Sequence, residues 1–366
     1  MRKRDQWLDL LRASAITMVV IYHIAQRWPV PVPRVSAVTD YGIYGVDLFF
    51  VLSGWLIGGL LWREQKHFGN VETGRFILRR ALRTVPPYLV ALAISYLGVF
   101  VFRHERFDWG YLLFFQNYYE RIPYFLVSWS LCIEEHFYLV MPFVAVALTR
   151  RRPRFHFLLL ALALGPVLFR TLEPGSGAED QFGYHVTATH LRYEGLLLGV
   201  WASFLQVQRP RLYGWARKAA PSGIVVALIG IVVCELLPEP WHYRLIYTAI
   251  AFFFFFVLLS AVDRSWSIPF GRLVFVVAAA SYSIYLTHAF MLDIALRAAA
   301  KLPPLAIIQL PLFLGLIGIT GLLFYRAVEL PSLRLRHNLM PARTKDLSPL
   351  LQTEAVPTGA EGRRRN

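Results

Sequence analysis

Apolar stretches long enough to cross a membrane recur along the whole chain, and this feature constrains the fold more than any other. Of the 366 residues, 56% are hydrophobic and 17% are charged, whereas about a quarter of the residues in a soluble domain are charged. No polar block is long enough to form a large soluble domain. The sequence therefore predicts an all-α integral membrane protein.

Hydropathy and helix length divide the chain into about ten predicted membrane spans. We expect a single transmembrane domain over residues 1–336, followed by a basic, disordered cytoplasmic tail over residues 337–366. The predicted spans are residues 8–26, 42–62, 85–102, 124–148, 155–171, 188–206, 222–237, 245–262, 272–292 and 305–328.

Positive charge marks the loops predicted to lie on one side of the membrane. The chain has 38 Lys and Arg residues and a net charge of +15. Most of these cations fall in alternate loops, and loops rich in Lys and Arg stay in the cytoplasm. The pattern predicts that both termini are cytoplasmic. We therefore attribute the charge to membrane topology and expect no nucleic-acid partner.

Two polar residues share one face of the first predicted span. The stretch WLDLLRASAITMVVIYH (residues 7–23) carries Asp9, Arg12 and His23. Helical geometry places Arg12 and His23 within about 20° of one face and about 16 Å apart along the axis. Ionisable residues inside a span indicate a functional site by default. The alternatives are that Arg12 reaches the interface and that His23 is a satisfied core histidine.

The second predicted span begins with an acid. In GVDLFFVLSGW (residues 45–55), Asp47 could orient the imidazole of His23, as carboxylates orient catalytic histidines. The alternative is a negative charge stabilised by the helix N-terminus. Ser53 and Gly54 are small enough to permit close helix packing.

Titratable residues also lie within the fourth predicted span. In WSLCIEEHFYLVMP (residues 129–142), Glu134, Glu135 and His136 are adjacent. A buried carboxylate can act as a general acid or base, so Glu134 is a candidate catalytic residue, with Ser130 and Glu135 in support. The alternative is an interhelical pair with a cation of another span.

Two arginines precede the third predicted span. Arg80 and Arg83 are three residues apart in FILRRALRTVPPY (residues 76–88) and project from one helix face. Two guanidinium groups suit a phosphorylated ligand. Ordinary anchoring at the cytoplasmic interface is the alternative reading.

Further polar residues in later spans indicate that the bundle has a polar interior. We include them as candidate substrate-binding or supporting residues: His190, Arg192, Glu194, Tyr285, His288 and Glu329.

Several of these segments together resemble the acyltransferase family 3 membrane proteins. The resemblance runs in the family's order across all ten predicted spans. It rests on Arg12 with His23, GVDLFFVLSGWLI, RRALR ahead of PPY, WSLCIEEHFYLVMP, SYSIYLTH and VELP.

The resemblance implies an O-acyltransferase of the bacterial inner membrane. Family members move acyl groups, often acetyl, from a cytoplasmic donor thought to be acyl-CoA to hydroxyls of extracytoplasmic glycans. The resemblance implies His23 as the catalytic histidine, Arg12 as its companion, and Arg80 and Arg83 as the paired arginines. Glu194 stands where the family more often has Asp.

Other classes of function stay open at this stage. A transporter or flippase of a glycan or lipid intermediate would also have about ten spans and buried charges. The two cysteines and the histidines show no metal-ligand spacing, so we expect no metal. The acceptor, the acyl chain and the oligomeric state do not follow from the sequence.

Overall fold

The computed structural model describes residues 5–28, 38–104, 106–150, 156–173, 182–262, 268–303 and 305–341, and most of these residues are helical. These residues contain no β-strand. The helices of eight or more residues are α1 (Gln6–Arg27), α2 (Gly45–Phe68), α3 (Thr73–Arg103), α4 (Trp129–Arg150), α5 (His156–Ala163), α6 (Gly165–Leu172), α7 (Glu194–Gln208), α8 (Pro210–Leu236), α9 (Trp241–Ala261), α10 (Gly271–Ala279), α11 (Ser281–Ala299), α12 (Ala306–Phe324) and α13 (Leu330–Leu339).

Seven helical segments among the described residues are long and apolar enough to cross a membrane. Helices α10 and α11 meet at a bend of 70°, and together they could form an eighth span. The predicted all-α membrane fold is therefore confirmed. The seven segments are Gln6–Arg27, Val38–Phe68, Thr73–Val101, Leu126–Leu148, Pro210–Leu236, Trp241–Ala261 and Ile307–Leu339.

The predicted count of ten spans is not confirmed, because two predicted spans are short in the structure. Residues 155–171 fall mostly in α5 and α6, which are two eight-residue helices separated at Leu164. Residues 188–206 fall largely in α7, whose 15 residues extend about 22 Å, against about 30 Å of hydrocarbon. Helix α7 is apolar because it is buried among other helices along most of its length.

The close contact between α2 and α7 depends on two glycines. A Cβ atom added at Gly54 would collide with the backbone carbonyl of Leu196. One added at Gly199 would collide with the backbone of Val51 and Trp55. The predicted role of Gly54 in close packing is therefore confirmed, and the two backbones approach as small-residue helix pairs do in membranes.

The last helix extends past the predicted domain boundary at residue 336. Helix α13 ends at Leu339, and the carbonyls of Met340 and Pro341 accept hydrogen bonds from Arg79 and Arg75 of α3. The first residues of the predicted tail therefore dock on α3. The rest of that tail, residues 342–366, lies outside the described residues.

A glycine substitution tests the α2–α7 contact. We expect Gly54→Ala to destabilise the folded protein by about 1–3 kcal/mol, because the new methyl group meets backbone that cannot move aside. Thermal unfolding in detergent would measure the change. Gly230→Ala in α8 is the control, since its added Cβ meets no atom within 4 Å. Equal melting temperatures for the two variants would contradict the assignment.

The bend between α10 and α11 leads to a prediction about the side of the membrane on which each terminus lies. If this pair crosses the bilayer once, the described residues contain eight spans, and an even number of spans puts both termini on the same side. We expect both termini in the cytoplasm, so a green fluorescent protein after residue 341 should fluoresce and an alkaline phosphatase there should be inactive. A phosphatase fused between α1 and α2 should be active. An active phosphatase at the C-terminal site would indicate an odd number of spans.

Candidate active site

A cavity of about 130 Å³ lies at the centre of the helical bundle. Helices α1, α2, α3, α4, α10 and α11 contribute to its wall, together with the π-helical turn Tyr325–Glu329 that joins α12 to α13. We call it the central cavity. It brings together seven of the candidate site residues predicted from the sequence, namely Arg12, Arg80, Arg83, Ser130, Glu134, Tyr285 and Glu329.

Three arginines give the central cavity a cationic wall. Arg12 and Arg80 are only 8% and 7% exposed, so neither extends freely into water. The guanidinium group of Arg80 lies 5.7 Å from the ring centre of Phe76 and 6.0 Å from that of Tyr138. Buried guanidinium groups beside a cavity are suited to hold an anion there.

Hydroxyl groups from other helices hold the carboxylates near the cavity. Glu134 accepts hydrogen bonds from Ser53 Oγ at 3.0 Å and from the Tyr138 hydroxyl at 2.6 Å. Glu329 accepts one from Ser283 Oγ at 2.5 Å. The Ser53 bond joins α2 to α4, so Glu134 has a fixed position in the cavity wall.

Two further carboxylate and hydroxyl contacts lie close by. Glu135 accepts a hydrogen bond from Thr84 Oγ1 at 2.5 Å. The Tyr285 hydroxyl donates to the carbonyl of Val127 at 2.9 Å, and its oxygen lies 2.6 Å from Ser130 Oγ. Because the phenol has a single proton, Ser130 must be the donor to Tyr285.

Two histidines that are far apart in the sequence meet beside this cavity. The rings of His23 and His288 are edge to face, with centroids 4.9 Å apart. Their exposed fractions are 7% and 0%. The helical face predicted for α1 is also present, since Ile16 and Val19 are buried with His23.

The hydrogen bonds of both histidines define the same tautomer. His23 Nδ1 lies 2.9 Å from the carbonyl oxygen of Val19, and His288 Nδ1 lies 2.7 Å from that of Tyr285. A carbonyl only accepts, so each Nδ1 carries the proton and each Nε2 has a free lone pair. Both Nε2 atoms are buried without a hydrogen-bond partner. The pair therefore presents two basic nitrogens.

Each histidine contacts an aromatic residue that lines a cavity, although neither histidine lines a cavity itself. The Tyr285 ring, which lines the central cavity, is 5.6 Å from the His288 ring. The Phe182 ring stacks on His23 with centroids 6.2 Å apart, and it lines a cavity of about 760 Å³. We call this second cavity the peripheral pocket. Arg27, at the C-terminal end of α1, also lines it.

The structure does not bring Asp47 to His23. Both Asp47 oxygens bind Arg192 Nη2, at 2.9 and 3.1 Å, and the Nδ1 atom of His23 is already bound to backbone. The guanidinium carbon of Arg192 lies 3.8 Å from the ring centre of Tyr247. Asp47 and Arg192 are buried, so their contacts hold the bundle together instead of orienting the imidazole.

A second buried ion pair lies close to the first. Arg170 of α6 binds Glu194 at 2.9 Å and Thr248 of α9 at 2.7 Å. The carbonyl of Leu191 also accepts a hydrogen bond from Arg170. Glu194 therefore belongs with Asp47 and the two arginines to a buried ionic network that joins α2, α6, α7 and α9.

His190 is separate from both cavities. Its ring stacks on Tyr118 at 5.9 Å, and its Nε2 atom lies 3.6 Å from Glu173. Among the described residues, no group of three His, Cys, Asp or Glu side chains could hold a metal ion.

Comparison with known proteins identifies the family. The model of acyltransferase family 3, described as an acyltransferase domain, matches residues 5–326. The chain belongs to this family. No solved structure matches the chain.

The curated relatives of this acyltransferase family 3 chain include proteins of Staphylococcus aureus. "Putative O-acetyltransferase SACOL0978" of strain COL is 28% identical over 315 residues, which are 77% of this chain and 49% of that protein. "O-acetyltransferase OatA" of strain NCTC 8325 is 27% identical over 314 residues, with the same shares of the two chains. The chain thus spans about half the length of the curated relatives that it matches.

Some polar residues of this acyltransferase family 3 chain were not found by sequence reasoning. Arg170 is fully buried inside a predicted span, and an arginine in an apolar run is a signal that could have found it. Tyr138 lies one helical turn after Glu134, so its spacing also carried a signal. The sequence contains no signal that could have found Thr84, because a lone threonine in an apolar run is common.

The Asp47–Arg192 ion pair leads to a prediction about the stability of the folded protein. We expect Asp47→Asn to lower the free energy of unfolding by about 3–5 kcal/mol, because Arg192 would stay buried without its counter-charge. The melting temperature in detergent would report the loss. Asp293→Asn is the control, since its pair with Arg27 is solvent-exposed and should be worth less than about 1 kcal/mol. Equal losses in the two variants would contradict a buried ion pair.

Proposed function

We propose that the protein transfers an acyl group, acetyl in the first instance, from cytoplasmic acyl-CoA to a hydroxyl of an extracytoplasmic carbohydrate. The observation that carries the proposal is the histidine pair, in which each ring has an Nε2 atom without a hydrogen-bond partner and contacts an aromatic residue that lines one of the two cavities. Family membership supports acyl transfer as the reaction class. The names of the S. aureus relatives support an O-linked acetyl product.

The central cavity is the proposed donor site. Arg80 and Arg83 lie near the start of α3, and Arg12 lies near the start of α1, at the ends that positive charge assigns to the cytoplasm. CoA carries several phosphates, and guanidinium groups bind phosphate through paired, charge-assisted hydrogen bonds. We therefore assign donor binding to these three arginines.

One route uses a histidine as general base. The Nε2 atom of His23 takes the proton of the acceptor hydroxyl, and the oxygen attacks the thioester carbonyl. A C–O bond forms, the C–S bond breaks, and the CoA thiolate leaves and takes up a proton. The free Nε2 lone pair and the Nδ1 bond to Val19 provide the tautomer that this step requires.

The other route passes through an acyl-histidine. The Nε2 atom attacks the thioester, so a C–N bond forms and the C–S bond breaks. The acceptor hydroxyl then attacks the acyl-imidazole, forming the C–O bond and releasing the histidine. In this route the second histidine, His288, is placed to take the hydroxyl proton, since the two rings are 4.9 Å apart.

The predicted catalytic acids have different positions in this scheme. Glu134 lines the central cavity and remains a candidate proton carrier there. Asp47 supports the bundle through Arg192, so we assign it no chemical step.

A transporter or flippase of a glycan or lipid intermediate is the second candidate. The bent helix pair α10–α11 and a partition between two cavities are features that transporters also have. Such a protein would move its substrate without consuming acyl-CoA, so turnover by the purified protein separates the two candidates.

Acyl-CoA turnover by the purified protein in nanodiscs tests the proposal. With a crude glycan extract as acceptor, we expect His23→Ala to lower kcat/KM at least a hundredfold, because a catalytic base or nucleophile is lost. We expect Arg83→Ala to raise KM for acyl-CoA about tenfold or more, because a charge-assisted contact is lost. Free thiol release and acylated product would be measured together.

Two variants outside both cavities serve as controls. His242→Ala removes a histidine whose Nδ1 atom binds the carbonyl of Cys234, and Arg79→Ala removes an arginine that binds the carbonyl of Met340. Both should keep near-normal turnover. Full activity in His23→Ala would overturn both routes, and no turnover with any thioester would favour the transporter.

A further inference from the structure

The central cavity has two chemically different ends. Ser130, Glu134 and Tyr138 of α4 all line it, and they follow one another at intervals of one helical turn. The guanidinium carbon of Arg80 lies 6.0 Å from the ring centre of Tyr138. Ser130 Oγ lies 2.6 Å from the hydroxyl oxygen of Tyr285. Two turns of α4, about 12 Å, therefore separate the arginine end of the cavity from the Tyr285 end.

The Tyr285 end of the cavity adjoins the histidine pair. The ring of Tyr285, which lines the cavity, lies 5.6 Å from the ring of His288. An acyl-CoA molecule carries its phosphates toward one end and its thioester at the other. When guanidinium groups bind the phosphates at the arginine end, the thioester and its acyl group extend toward Tyr285. The side chains at the Tyr285 end therefore surround the acyl group.

Aromatic and apolar side chains close the Tyr285 end. The ring of Phe49 meets the ring of Tyr285 edge to face, with centroids 6.4 Å apart, and both residues line the cavity. Val46 and Phe50 line it from the same face of α2 as Phe49, and Leu131 lines it from α4. Such a wall suits an apolar group, whereas the arginine end suits an anion.

Phe49 differs from its neighbours on α2 in how it is packed. Val46 and Phe50 are 2% and 1% exposed, so both belong to the core of the bundle. Phe49 is only partly buried and packs against that core while it lines the cavity. A smaller residue at position 49 therefore enlarges the cavity, whereas a smaller residue at position 46 or 50 would remove core packing.

The size of the central cavity limits what fits beside Phe49. Its volume is about 130 Å³, against about 760 Å³ for the peripheral pocket. The arm that links the phosphates of acyl-CoA to its thioester takes part of this space. A long acyl chain would therefore meet the ring of Phe49, and overpacking a closed apolar site is unfavourable.

We propose that Phe49 sets the length of the transferred acyl group, because its ring closes the Tyr285 end of the central cavity to straight chains longer than acetyl. This assignment rests on the proposed function, since it requires the central cavity to be the donor site. It deepens that function by naming the residue that selects the acyl group.

A matched pair of acyl-CoA analogues tests the selection by length. In acetonyl-CoA and 2-oxoheptyl-CoA, a methylene group separates the sulfur from the carbonyl, so the acyl group cannot be transferred and the analogue stays intact. Calorimetry would measure their binding to the protein in nanodiscs. We expect the wild type to bind acetonyl-CoA about tenfold or more tightly than 2-oxoheptyl-CoA, since even one misfit methylene costs about this factor.

Replacement of Phe49 by alanine should remove the preference. We expect Phe49→Ala to bind 2-oxoheptyl-CoA about tenfold or more tightly than the wild type does, because the added methylenes enter the space that the ring has left. Binding of acetonyl-CoA should change far less. Phe49→Leu keeps an apolar side chain at this position, and its ratio of the two affinities should lie between those of the wild type and Phe49→Ala.

The control variant is Phe253→Ala. Phe253 of α9 is also a partly buried phenylalanine, and it does not line the central cavity. Its replacement should leave the ratio of the two affinities at the wild-type value. Lost packing alone would weaken the binding of both analogues by the same factor, so the ratio reports selection by size and not stability.

The role of Phe49 and the proposed function fail in different ways. Equal binding of the two analogues by the wild type, or the wild-type ratio in Phe49→Ala, would overturn the role of Phe49 and leave acyl transfer untouched. The expected ratios in a protein that transfers no acetyl group from acetyl-CoA would overturn the proposed function alone. Failure of both analogues to bind would overturn both, because the central cavity would not be a donor site.

Discussion

A charge inside a membrane bundle is tolerated only where the protein itself supplies the counter-charge, and this constraint organises the structure. Inside the bundle, Asp47 pairs with Arg192 and Glu194 pairs with Arg170. The partners come from different helices, so no single helix could bury its charge alone. The two pairs therefore require α2, α6, α7 and α9 to assemble together.

The remaining interior polar groups are arranged differently. Arg12, Arg80 and Arg83 line a cavity, and each of the two histidines has a buried Nε2 atom without a hydrogen-bond partner. A buried nitrogen without a hydrogen-bond partner costs stability, and such costs concentrate at functional sites. The bundle thus separates charges that hold helices together from groups that can act on a substrate.

Helical periodicity predicted which polar residues share one face of α1, but it could not predict how the helices pack together. The shared face of Arg12 and His23 follows from helix geometry, and the structure buries that face. Hydropathy predicted full-length spans at two segments that form shorter helices in the structure, because it responds to burial and cannot distinguish lipid from protein surroundings. Helix α7 is apolar for the second reason.

The spacing of residues in the sequence could not predict which side chains from different helices contact one another. Asp47 was expected near His23, yet Arg192 is its partner, because an ion pair of opposite charges is favoured over a contact with a neutral imidazole. The approach of His288 to His23 depends on how α11 packs against α1, and neither segment encodes that alone.

The hydrogen bond between His23 Nδ1 and the carbonyl of Val19 lies entirely within one turn of α1. The helix that carries the imidazole therefore also fixes which nitrogen is protonated. A neighbouring helix could tilt or slide during a reaction cycle without changing that protonation pattern. The tautomer of the reactive imidazole is thus a local property of α1, independent of how the other helices pack around it.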